Sequence, residues 1–295
     1  MSKRDWWVNI ILVACGLILS SSSYQSSLDK SIAQTALKQN NSIRYEATEQ
    51  EQSIIHTVTV PHQSNFSVTP AIEGELQPII DFANKYQAIA VINGGYFDPN
   101  NQKTTSYLIK EGKLLADPRT NERLIDNPDL TPYLGKILNR VEFRRYLCGG
   151  DIRYDIVLHY SPYFDGCELK DALGGGPGLL PKDTSVKEGF VAYHNGKIIR
   201  NAIGTTSPNA RSAVGIKDNG DIVLAMVEQK PSSGGAGMSL PQLADFLSTL
   251  GVTKAMNLDG GSSASLYYQG QAFYGRLDRE GNKIKRPIKS VLLVQ

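Results

Sequence analysis

The clearest pattern in the chain is an apolar helical repeat that gives way to an apolar run and stops at a carboxylate. Leu240, Leu243, Ala244, Leu247 and Leu250 recur at helical spacing, with Ser239 placed to cap the start, Pro241 in the first turn and Gly251 just past the end. Val252 to Leu258 then reads as a buried strand delivering Asp259 to a loop. Residues 76 to 97 repeat this grammar. Leu76, Ile79, Ile80, Phe82 and Ala83 predict a helix, Ala88 to Ile92 a strand, and Asn93-Gly94-Gly95-Tyr96-Phe97 the loop that follows. Further strands are expected at Ile54–Val60, at 265–268 and at 290–294, with hairpins turning at Gly112 and at Asp218-Asn219-Gly220-Asp221. Helices and strands mix without regular alternation, which predicts a single α+β domain with a mixed β-sheet and packed helices.

The N-terminus has a different texture. Lys3 and Arg4 precede the apolar run Trp6 to Leu19, and serines follow at 20–23, so residues 1–23 read as an export signal or membrane anchor. Cys15, after Leu12-Val13-Ala14, offers lipid attachment as the alternative. Residues 24–52 are polar and read as a linker, which puts the folded domain at 53–295. The expected location is exported: periplasmic, cell-envelope or secreted, with a possible membrane tether through the N-terminus.

A net charge of +2, with no basic stripe, argues against a nucleic-acid partner. Arg119, Arg123, Arg140, Arg144 and Arg145, and the charges from Arg276 to Arg286, read as solvated surface, with an acidic polymer as the functional alternative for the first group. The four histidines are scattered and no dinucleotide glycine fingerprint is present, so no metal site and no cofactor are expected; a divalent cation on Asp259 is possible but not signalled. In an exported chain Cys148 and Cys167 are expected to form a disulfide.

Candidate chemistry gathers at the glycine-rich loops. Gly260 and Gly261 allow backbone to approach a ligand, Ser262 and Ser263 add hydroxyls, and Tyr96 or Phe97 offers a ring to a sugar face. Gly174, Gly175 and Gly176 are candidates for an anion-binding nest, and Arg211, at the start of an apolar strand, suits two phosphate oxygens. The structural alternatives are tight turns for the glycines and a salt bridge for Arg211.

Four motifs in order, Val91 to Phe97, Ala172 to Pro177, Ala210 to Gly215 and Asn257 to Ser263, resemble the phosphodiester glycosidase family, which includes members that remove N-acetylglucosamine from a phosphodiester and bacterial proteins linked to exopolysaccharide. The resemblance runs from about residue 53 to the C-terminus and implies a hydrolase acting on the glycosidic bond of a sugar-1-phosphodiester in exported or envelope glycans. The family commonly has Asp-Gly where this chain has Glu228-Gln229. Breaking the bond between the sugar carbon and oxygen calls for a carboxylate at the sugar and cations at the phosphate. The expected catalytic pair is Asp259 and Glu228. Asn93, Gly94, Gly95, Tyr96, Phe97, Gly174, Gly175, Gly176, Arg211, Gly260, Gly261, Ser262 and Ser263 are the expected substrate-binding set, with Asn93 and Ser262 orienting sugar hydroxyls. A non-catalytic envelope polysaccharide-binding protein and a glycosidase for phosphate-free linkages are the two alternatives.

Overall fold

The computed structural model describes residues 42–231 and 236–295. The export signal or anchor, and the first part of the polar linker, lie outside the described residues.

Strands buried on both faces explain the continuous apolar runs. Along Ile222–Gln229, Leu224 and Met226 enter one core while Val223, Ala225 and Val227 enter another, so neither face of the strand is polar. This strand lies inside a six-stranded sheet ordered Arg44–Glu49, Ser53–Val60, Ile222–Gln229, Arg211–Lys217, Val252–Asn257, Gly178–Leu180. A second sheet is ordered Gln271–Tyr274, Ser265–Tyr268, Ala90–Asn93, Ile288–Val294, Val68–Gln77. A third is ordered Lys113–Ala116, Leu108–Lys110, Cys167–Gly174, Val141–Cys148, Asp151–Leu158, and a separate two-stranded ribbon pairs Val191–His194 with Lys197–Asn201.

The three larger sheets share one core, to which they send Met226 and Met256, Ile92 and Leu292, and Phe143 and Leu173 respectively. The helix Leu240–Thr249 seals the outer face of the six-stranded sheet with Leu243 and Leu247, and the helix Ile79–Tyr86 seals the second sheet with Ile79 and Phe82. Both helices follow the sequence reading, except that Leu76 belongs to the strand Val68–Gln77 and the first helix starts only after Pro78. Ser239 and Gln242 form a reciprocal capping box, and Gly251 takes the left-handed conformation at φ 78°.

The α+β expectation is corrected here. Every strand pairing among the described residues is antiparallel, and the two helices of 8 and 10 residues are covers on an otherwise β architecture. Caps and period made the helices conspicuous, whereas strands as short as three residues left little pattern. The linker boundary also moves. Arg44–Glu49 pairs residue for residue with Ser53–Val60, and Tyr45 stacks on Tyr268 and Phe273, so the compact unit begins at Ile43. Cys148 and Cys167 lie opposite one another on adjacent strands and are disulfide-bonded, as expected.

Candidate active site

Four strand ends converge, and their loops are tied to one another by backbone hydrogen bonds. The Asp259 N–H donates to Gly94 O at 3.0 Å, Gly176 N–H to Asn257 O at 2.8 Å, Leu258 N–H to Ser212 O at 2.8 Å and Gly261 N–H to Ala210 O at 2.8 Å. Each bond joins two of the four sequence motifs. The glycines permit that closeness: a Cβ on Gly95 would fall 2.3 Å from Gly174 O, and one on Gly94 2.5 Å from Ser290 Oγ. Asn93 completes the knot. Its Nδ2 donates to Asp259 O at 2.6 Å, and its Oδ1 accepts from Ser212 Oγ at 2.6 Å and Ser265 N–H at 3.1 Å. Fully buried and bonded at both ends of its amide, Asn93 holds the backbone and does not present itself to a sugar.

The expected glycine nest is not open either. Gly174, Gly175 and Gly176 donate their N–H groups to Tyr107 O at 2.8 Å, Val141 O at 3.0 Å and Asn257 O at 2.8 Å. Their role is packing. A further support that sequence reasoning missed lies behind them: buried Glu188 accepts from Val141 N–H at 2.9 Å, from Gly178 N–H at 2.8 Å and from the Thr184 hydroxyl. Burial pushes the Glu188 carboxyl up, and these donors offset part of that shift.

Side chains carry the chemistry that remains. Asp259 is half-buried, and its Oδ1 accepts from Gly260 N–H at 3.0 Å. Burial raises its pKa from 3.8 to about 6, against the opposing pull of Ser263, Arg286 and the Gly260 N–H. The buried Ser263 hydroxyl has no hydrogen bond of normal geometry, and its pull on the Asp259 carboxyl opposes the effect of burial. Arg286 donates from Nη1 to Ser262 Oγ at 2.9 Å and places its guanidinium 5.0 Å from the centre of the Phe97 ring. Tyr96 donates its hydroxyl proton to Gly176 O at 2.7 Å and accepts from Asn257 Nδ2 at 2.7 Å. Burial, then the charge of Asp259, pushes the Tyr96 phenol up, so it stays protonated. Beside it Arg140 stacks on Phe190 at 3.7 Å and lies 5.9 Å from the Tyr96 ring; burial lowers its pKa to about 10.

Two of the expected residues are engaged in other contacts. Arg211 is buried and donates to four carbonyls: Met238 O at 3.1 Å, Ile203 O at 3.1 Å, Gly204 O at 2.6 Å and Ser207 O at 2.8 Å. Among the described residues it pairs with neither Asp259 nor another carboxylate, and it rivets a loop. Glu228 is paired with His56 at 3.0 Å and with Lys283, and shares no partner with Asp259. Burial alone would raise its pKa, but hydrogen bonds from His56 and Lys283 hold it below the usual carboxylate range. These are the attributes of a structural ion pair.

Arg286 acts electrostatically on Asp259 and Arg140 on Tyr96, although both belong to stretches whose charges read as solvated. Arg144, from the same group, is fully buried on Glu142 at 2.6 Å. Among the described residues no three His, Cys, Asp or Glu side chains converge as a metal set. A cavity of about 880 Å³ opens between residues 72–75 and 114–117, away from Asp259, so the chemistry and not the volume locates the site.

The sequence profile of the family described as phosphodiester glycosidase matches residues 86–295. No curated protein matches the chain. Among solved structures, the catalytic domain of zebrafish N-acetylglucosamine-1-phosphodiester alpha-N-acetylglucosaminidase, auto-inhibited by its pro-peptide, is similar in fold. Its TM-score is 0.59 at 19% identity, over 86% of this chain and 82% of that one. A hypothetical protein from Synechocystis aligns with a TM-score of 0.56 at 17% identity, over 85% of this chain and 61% of that one. The two structures speak to fold; the profile spans all four interlocked motifs but for the first strands of the domain, and the chain belongs to the phosphodiester glycosidase family.

Proposed function

We propose that the chain hydrolyses the bond between the anomeric carbon of a sugar and a phosphodiester oxygen, acting outside the cytoplasm on exported or envelope glycans. The observation that carries this reading is half-buried Asp259, whose pKa burial raises to about 6, within electrostatic reach of an Arg286 guanidinium that is held on Ser262 and against Phe97. As the bond lengthens, positive charge grows on the sugar ring and negative charge on the leaving phosphate. The Asp259 carboxylate answers the first and Arg286 the second. The group that leaves is a phosphate monoester, already a stabilised anion that needs little protonation; the hydroxyl of water joins the anomeric carbon and its proton goes to the released phosphate or to solvent. The disulfide between Cys148 and Cys167 supports an oxidising compartment.

One observation favours a second reading. Arg211 and the Gly174 to Gly176 N–H groups are consumed by carbonyls, which removes two of the phosphate contacts read from sequence and leaves room for a glycosidase of phosphate-free linkages.

Sugar release from matched sugar-1-phosphodiesters and plain glycosides separates the two. The phosphodiesters should be cleaved, Asp259→Asn should lose activity by roughly a thousandfold or more, and Arg286→Ala by tenfold to a hundredfold. Glu228→Gln should stay within a few-fold of wild type. Cleavage of plain glycosides alone, with Arg286→Ala unaffected, would replace the phosphate reading by the second one.

A further inference from the structure

The ribbon Val191–His194 with Lys197–Asn201 stands apart from the three large sheets and leaves its outer half uncovered. Tyr193 and Ile198 are cross-strand partners, 54% and 53% exposed; Ile199, at 60%, has no register partner because a bulge falls between Ala192 and Tyr193. Val186, just before the ribbon, is exposed as well. Apolar side chains of this size facing water in one place mark a contact surface.

The charges around them have one sign. Exposed Lys182, Lys187 and Lys197 stand against a single exposed acid, Asp183, so residues 182–200 carry an exposed excess of two positive charges, and half-buried Arg200 lies at the base of the ribbon on Gly189 O and the Tyr133 ring. Lys136 joins them by donating to Val186 O at 3.3 Å. Protruding isoleucines and a tyrosine ringed by lysines complement an anionic lipid surface: the apolar tips enter the acyl boundary while the ammonium groups meet headgroup phosphates. A second copy of the chain is a poorer match, because a stable protein interface buries about 800 Å² on each partner and like-charged lysines would face one another.

The base of the ribbon is continuous with the candidate site. Phe190, which leads into the first strand, is 5.6 Å from the Tyr96 ring and carries the Arg140 guanidinium, and Ala202 N–H returns to Phe190 O at 2.9 Å. We infer that the 191–201 ribbon docks the protein on an anionic lipid bilayer. This inference rests on the exposed ribbon alone and stands whichever glycosidic linkage the enzyme cleaves.

The test uses the compact unit from Ile43 to Gln295, which contains all four sheets and all three cores. It should co-sediment with vesicles of phosphatidylcholine mixed with phosphatidylglycerol, much less with phosphatidylcholine alone, and be released by high salt. Ile198→Ser/Ile199→Ser and Lys187→Glu/Lys197→Glu should each lower the partition coefficient roughly tenfold or more, with thermal midpoints unchanged because all four positions are exposed. No association with the anionic vesicles, or equal association of both double variants, overturns the proposal. So does a concentration-dependent dimer in sedimentation velocity that the isoleucine variant abolishes without any vesicle binding, which would assign the ribbon to a second copy.

Discussion

At Asp259, the carboxylate that follows the strand Val252–Asn257, burial raises the pKa to about 6. A carboxyl whose folded pKa exceeds its unfolded value binds more protons in the folded state, so its contribution to stability falls as pH rises through about 4 to 6. Asp259→Asn should therefore raise the denaturation midpoint at pH 7 by the equivalent of about 1–3 kcal/mol, and by much less at pH 4. The wild-type rate should climb through pH 6 as the carboxylate forms, and that inflection should be missing from residual Asn-variant activity; a rate that instead falls through pH 6 would make the protonated form the active one. Arg286 escaped the sequence reading for a physical reason. It sits on a charged loop without periodicity, and its significance comes from Phe97 and Ser262, which only folding brings to it. Arg211 misled in the opposite direction: a lone arginine at a strand start suited phosphate, but backbone carbonyls claimed it first.

At the scale of elements, the helix Leu240–Thr249 and the strand Val252–Asn257 were legible down to their caps, because capping chemistry is local. Of the third sheet only the hairpin turning at Gly112 was legible, since along Val141–Cys148 the residues of the polar-looking face, Glu142 and Arg144, are buried beneath the chain around Ser161. The ribbon turn Asn195-Gly196, both residues at positive φ, was a readable hairpin signal that passed unnoticed. The disulfide pins the far end of that third sheet, with its cysteines 19 positions apart. Replacing both by serine should cost about 3 kcal/mol, read as a lower denaturant midpoint with an unchanged active-site pH profile.

For the whole molecule, the lesson is that two conspicuous helix–strand units do not make an α+β fold. Their strands join antiparallel neighbours, and the helices serve as lids. The boundary matters as much. A chain begun at Ser53 lacks Arg44–Glu49 and Tyr45, exposing both the Ser53–Val60 edge and the aromatic cluster of His56, Tyr268 and Phe273. It should aggregate and melt at lower temperature than one begun at Ile43, as light scattering and a thermal melt will show; equal behaviour would make the first strand dispensable.

The interlocked loops have one more consequence. Since the four motifs satisfy one another's N–H and carbonyl groups, an arriving substrate has little backbone to order and meets a surface already set. On the proposed reading, recognition is left to a few side chains, Asp259 and Arg286 among them. A scaffold of that kind can exchange one substrate for another by replacing a single rim residue, with no rebuilding of the frame that holds the carboxylate in place.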